Sequence, residues 1–103
     1  MIITTTENIP NQEISEVFGI VKGSTVRARN IGHDIFAGLK NIIGGELSEY
    51  TKLQADSREQ AIQRMEEDAQ RLGADAIVCV RISSSFIGDA AEVLAYGTAV
   101  KLK

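Results

Sequence analysis

The chain has 103 residues, 44% hydrophobic and 24% charged, with a formal net charge of −3 and one cysteine. That length holds one domain, residues 1–103, around one core, and the composition is that of a folded chain rather than a disordered one. One cysteine excludes an intrachain disulfide and suits a reducing compartment, and no run reaches the roughly 20 apolar residues of a membrane span.

No charged segment leads into an apolar run at the N-terminus, as a signal peptide would require. The expectation is a soluble cytoplasmic protein with no membrane partner. Charge is distributed unevenly. Residues 1–45 hold four acids and four bases, while residues 46–75 hold eight acids and four bases. A phosphate backbone is bound by clustered basic residues, and no such cluster exists here, so nucleic acid is not an expected partner.

Met1 to Thr6 is short, apolar and β-branched, which predicts a strand. Asn8-Ile9-Pro10-Asn11 supplies a turn, with Pro10 presetting φ and Asn11 tolerating the left-handed region. Ile14 to Ala28 predicts a long strand, bent at Gly19 or Gly23. Asn30 then caps a first helix, whose apolar face is Ile31, Ile35, Leu39, Ile42 and Ile43. Gly44-Gly45 ends it.

A second, longer helix is predicted from Glu46 to Leu72. Leu47, Tyr50, Leu53 or Gln54, Ala61, Met65, Ala69 and Leu72 follow its inner face. Ser57 and Gln60 have the spacing of a capping box, so a break at Asp56–Gln60 is the alternative. Glu59, Glu66, Glu67 and Arg71 make the solvated face, with Glu67 and Arg71 in the favourable i,i+4 order. Gly73 ends this helix.

Ala76 to Ile82 is apolar on both faces at its start and predicts a central strand. Gly88-Asp89 is a turn, and Glu92 to Lys101 is the last strand. Its Val93, Ala95, Gly97 and Ala99 form a face of small residues on which a helix can lie close. Leu94, Tyr96, Val100 and Leu102 form the other. The predicted fold is α+β: an antiparallel or mixed sheet with two helices, one short and one long, on one face. The sheet's opposite face carries large apolar residues with no local element left to cover it, and a second subunit is the simplest cover.

Several segments together resemble the YbjQ-like family of small bacterial proteins. They are Gly19-Ile20-Val21-Lys22-Gly23, Asn30 through Asp34, Gly44-Gly45-Glu46 with Tyr50, Arg58 with Arg64-Met65, Leu72 through Ala76, and Ala95 through Val100. The resemblance spans residue 14 to the C-terminus. It implies a ring-forming subunit, a homopentamer, and it brings the label of heavy-metal binding. It also implies glycine or alanine where this chain has Cys79.

A soft-metal site needs several thiolate or imidazole ligands that converge. This chain offers one of each, Cys79 and His33, and no CxxC or HxxxH pair. Between Val78 and Val80, Cys79 reads as a small hydrophobe inside a strand. His33 sits in the first turn of the first helix beside Asp34, but adjacent helical residues point about 100° apart and chelate poorly. Gly44-Gly45-Glu46 could nest an anion at a helix start, although Glu46 would repel one. The plainer reading is a tight connection, with Glu46 and Tyr50 reaching Asn30 or Asp34 in a polar network.

Catalytic signatures are lacking. Ser83-Ser84-Ser85 has no GxSxG setting and no assignable base, and Glu66-Glu67 belongs to an outer helix face. Two functions remain open. One is a homo-oligomeric binding or scaffolding module, with metal binding as a family label. The other is a ring-forming small-molecule binder or enzyme, its sites at subunit interfaces built from Asn30, Asp34, Glu46, Tyr50 and Arg81. No cofactor is specified.

Overall fold

The computed structural model describes residues 1–28, 48–87 and 90–103, with side chains described for 1–26, 54–85 and 92–103. Among these residues lie four strands and one helix: β1 (Ile2–Ile3), β2 (Ile14–Ala28), α1 (Ser48–Arg71), β3 (Ala76–Ile87) and β4 (Ala90–Leu102). The sheet order is β1-β3-β4-β2. β1 runs parallel to β3, and the β3–β4 and β4–β2 pairs are antiparallel. The α+β class and the mixed sheet agree with the sequence. The predicted short helix from Ile31 to Ile43, its Asn30 cap and the Gly44-Gly45 stop lie outside the described residues, as does the Gly88-Asp89 turn.

α1 passes through Ser57 without a break, so the capping-box reading of Ser57 and Gln60 is corrected. The reason is what Ser57 faces. Ser57, Ala61, Met65 and Ala69, spaced four apart, form one buried row, and the Thr25 hydroxyl of β2 donates to the Ser57 carbonyl oxygen at 3.3 Å. A small polar residue here is part of the packed face rather than a helix start. Full burial of side chains such as Met65, Ile77 and Val21 contributes about 1.5–3 kcal/mol each.

The helix ends as predicted at Gly73, whose φ is +78°. Ala74 N–H donates to the Ala69 carbonyl at 3.2 Å and Gly73 N–H to that of Gln70 at 3.0 Å. These are the two bonds of a Schellman motif, and they satisfy carbonyls that the last turn would leave free. Leu72, expected on the inner face, lies just past the helix and is exposed. The solvated face also differs in one pair: Arg71 bonds Asp68 at 3.3 Å, three residues away, rather than the expected Glu67.

The strands carry two irregularities that matter below. In β2 the pairing with β4 shifts between Val17 and Gly19, where Gly19 has φ +116°. Of the two glycines considered for a bend, Gly19 is therefore the one that makes it. In β3 the pairing with β4 shifts between Val78 and Arg81, and Cys79 has φ +56°. This bulge sets two residues of β3 against Gly97. A β-carbon on Gly97 would lie 2.8 Å from Ile77 Cγ2 and 3.0 Å from both the Val78 carbonyl and Val80 Cγ2. Gly97 is thus small for the sake of the bulge, where the sequence suggested the helix.

The bulged backbone is held from its other side. Cys79 N–H donates to the Thr6 carbonyl and Val80 N–H to that of Thr4, both at 3.0 Å, while Thr4 N–H donates to Ile77 at 2.9 Å. The predicted Met1–Thr6 strand is therefore regular only over Ile2–Ile3, because Thr4–Thr6 must follow a bulged neighbour. β3 and β4 both extend beyond their predicted ends, β3 to Ile87 and β4 to Leu102. Ser83–Ser85 pair with Leu94–Glu92 and so belong to the ladder.

Candidate functional site

α1 covers one face of the sheet. Val21, Ile77, Val80, Val93, Ala95 and Ala99 pack with Ala61, Met65 and Ala69 in the main core. Directly paired residues in an antiparallel ladder share a face, so the register defines what the opposite face carries. Its rows are Val17 with Val100, Ile20 with Thr98 and Val78, Lys22 with Tyr96 and Arg81, Ser24 with Leu94 and Ser83, and Val26 with Glu92 and Ser85.

One end of this face is covered, which corrects the expectation of a wholly bare surface. Ile9, Ile14, Cys79 and Leu102 pack on Ala76, Val78 and Val100 as a second apolar cluster. The Asn8–Asn11 turn makes this possible. Asn11 takes φ +65°, the left-handed conformation that asparagine tolerates, and Gln12 N–H closes onto the Ile9 carbonyl at 3.2 Å. Beyond that cover no other described element lies on the face. Ile20 is 80% exposed, Val17 and Val26 are each 63% exposed, and Tyr96 stands among them.

Arg81 is the one predicted binding residue with a described side chain. Its Nη1 donates to the Thr5 carbonyl at 3.1 Å and to the Val80 carbonyl at 2.8 Å. The guanidinium thereby ties the N-terminal segment to β3, next to Tyr96. Tyr50 lies in the first turn of α1. Asn30, Asp34, Glu46 and His33 lie outside the described residues, so the expected network among Asn30, Asp34, Glu46 and Tyr50 does too.

Cys79 is half-buried and sits in a left-handed bulge position, not in a regular strand interior as expected. Of the two residues that the family resemblance implies here, glycine adopts this φ freely, while alanine and cysteine alike are strained there by about 1–2 kcal/mol. Packing on the second cluster agrees with an apolar role. Among the described residues no group of three or more His, Cys, Asp or Glu side chains could hold a metal ion, so these residues do not fit a heavy-metal site.

A hollow of about 570 Å³ is lined by Asn8, Gln12, Glu13, Ile14, Ser15 and Lys103. Lys103 Nζ bonds Glu13 Oε2 across it at 3.3 Å. Both side chains are well exposed, and such a pair contributes at most about 1 kcal/mol.

Two contacts with no counterpart in the sequence reading join α1 to the outer edge of β2. Asp68 Oδ2 accepts from Lys22 N–H at 3.2 Å, and Arg64 Nη1 donates to the Ser24 carbonyl at 2.5 Å. The available signal was an Arg and an Asp four apart, flanking the apolar row of the helix.

The class these features define is a small α+β domain, its sheet covered by one described helix and largely open on the reverse. The chain belongs to the YbjQ-like family, whose model, described as "putative heavy-metal-binding", matches residues 1–103. It is 55% identical over 104 residues to a UPF0145 protein of Archaeoglobus fulgidus, covering 100% of this chain and 96% of that protein. It is 57% identical to one of Methanoculleus marisnigri (99% and 96% covered) and 53% identical to one of Vibrio campbellii (99% and 99%). The family is therefore archaeal as well as bacterial, which corrects the expectation of a bacterial group. None of these names is that of an enzyme. The fold is also similar to a crystal structure of a protein of unknown function from Pediococcus pentosaceus, of the DUF74 family. The TM-score is 0.66 at 16% identity, covering 100% of this chain and 98% of the other. No helix among the described residues is long and apolar enough to cross a membrane.

Proposed function

We propose that the chain is a cytoplasmic homo-oligomeric binding or scaffolding subunit whose copies associate through the open face of the sheet. The observation that carries this reading is the diagonal run of Ile20, Tyr96, Leu94 and Val26 across β2 and β4 on one face, with Val17 beyond it. Scattered apolar residues are ordinary on a surface, but a contiguous group on a sheet face marks an association site. A closed ring of five is the arrangement implied by the family resemblance. An obligate interface of this kind buries on the order of 2,000 Å² or more in total.

Sedimentation velocity at micromolar concentration tests it. The unaltered chain should run as a single multimer, and Ile20→Glu with Val26→Glu should shift it to the monomer with its helix content retained. A stable monomer of the unaltered chain removes the reading.

A second reading, a small-molecule binder with sites between subunits, is favoured by one row. Lys22 and Arg81 flank Tyr96 across three strands of the same face, placing two cationic side chains beside an aromatic one. Native mass spectrometry of protein from its own host distinguishes the two, since a retained small molecule in fixed ratio to subunits belongs only to the second.

A further inference from the structure

Among the described residues β2 is the outer strand of the sheet, and an outer strand presents a row of free N–H and C=O groups to any extended chain that meets it. Here two of those groups are already bonded, and by the protein's own helix. Lys22 N–H is taken by Asp68 Oδ2 at 3.2 Å and the Ser24 carbonyl by Arg64 Nη1 at 2.5 Å. Lys22 and Ser24 are alternate residues, so both groups point outward from the sheet in the same direction. These are the groups that an added strand would use.

The Asp68 carboxylate has a second contact. Its other oxygen, Oδ1, accepts from Arg71 Nη2 at 3.3 Å, which aims Oδ2 at the strand. A donor and an acceptor four apart on α1 thus match an acceptor and a donor two apart on β2. The match depends on the short distance between helix and strand at Gly23, which lies between the two bonded residues.

We propose that Arg64 and Asp68 act as a guard that closes the edge of β2 to strand addition. The guard differs from the usual protection of an edge by charge or proline, because it occupies the backbone groups themselves. This inference stands independently of the assembly reading above: it concerns which edge is refused, whatever the number of copies that assemble.

The test is the Arg64→Ala/Asp68→Ala double variant compared with the unaltered chain by sedimentation velocity. The expected result is the appearance of species larger than any formed by the unaltered chain. Adding Lys22→Pro should abolish them and restore the original distribution, because proline has no N–H to offer an incoming strand and is tolerated at an edge. Larger species that persist with Lys22→Pro, or a double variant that sediments like the unaltered chain, overturn the proposal. Should the double variant lose its helix by circular dichroism, hydrogen exchange decides instead. In the unaltered chain the Lys22 amide should be protected, and Asp68→Ala alone should remove that protection. A Lys22 amide that exchanges freely in the unaltered chain overturns the guard directly.

Discussion

Gly23 of β2 lies against the backbone of α1 at Met65. A β-carbon at Gly23 would collide with the Ala61 carbonyl and the Met65 amide, and would lie 2.7 Å from the Arg64 carbonyl carbon. These are main-chain atoms of a helix, which cannot turn aside as a flexible side chain can. The absence of a side chain at one strand position therefore sets the spacing between helix and sheet.

Gly23→Ala should accordingly destabilise the domain by about 3 kcal/mol, at the upper end of the range for overpacking. Urea unfolding of the single variant checks this. A change below about 0.5 kcal/mol would mean that the helix does not sit where it is described.

Cys79 makes the opposite kind of prediction. In an ordinary strand alanine is preferred to glycine by roughly 0.5–1 kcal/mol. At φ +56° the order should invert, with Cys79→Gly more stable than Cys79→Ala by about 1 kcal/mol. Thermal melting of the pair gives the sign. If alanine is the better residue, the bulge is not left-handed at this position.

The buried Thr25–Ser57 contact can be tested without changing volume much. Thr25→Val keeps the shape and removes the donor, which should cost about 1 kcal/mol. Urea unfolding should register it with an unchanged m-value, since no additional surface is exposed by the folded state.

Metal uptake should be indifferent to Cys79. The thiol belongs to no group of three or more His, Cys, Asp or Glu among the described residues, so Cys79→Gly and the unaltered chain should retain equal zinc and copper per subunit by elemental analysis. Loss of a stoichiometric metal ion in the variant would assign the thiol a role that its packing does not suggest.

The strands were largely legible in the sequence because their signals are local. β2 runs from Ile14 to Ala28, the span that its β-branched content predicts, and Asn11 and Gly73 take the left-handed conformations expected of their residue types. The bulge at Cys79 was not legible, because Ala-Ile-Val-Cys-Val contains no glycine to mark it. Its trace is a change of phase: Ile77 and Val80 share the helix-facing core although they are three apart. Ser57 misled for a related reason. A serine with a glutamine three residues on has the pattern of a helix start, and only the facing Thr25 shows that it is a packing residue. Of the predicted interfacial site only Arg81 has a described side chain, and its bonds to Thr5 and Val80 depend on a bulge and an N-terminal segment that strand propensity alone does not specify.

The pairing of β2 with β4 joins nearly opposite ends of the chain, Ile14 to Leu102 and Ala28 to Ala90. During synthesis β2 emerges early, and its ladder partner is the last strand made. At about 5–20 residues per second the gap amounts to several seconds, and closing so long a loop is slow in its own right. Through that interval β2 lacks β4, its one sheet neighbour among the described residues. Among the described elements the first partner made after it is α1, which is complete before β3 begins and meets it at Gly23, Thr25 and the Arg64–Asp68 bonds. Order of manufacture thus favours a strand docked on a helix as the nascent intermediate, onto which the C-terminal hairpin later adds.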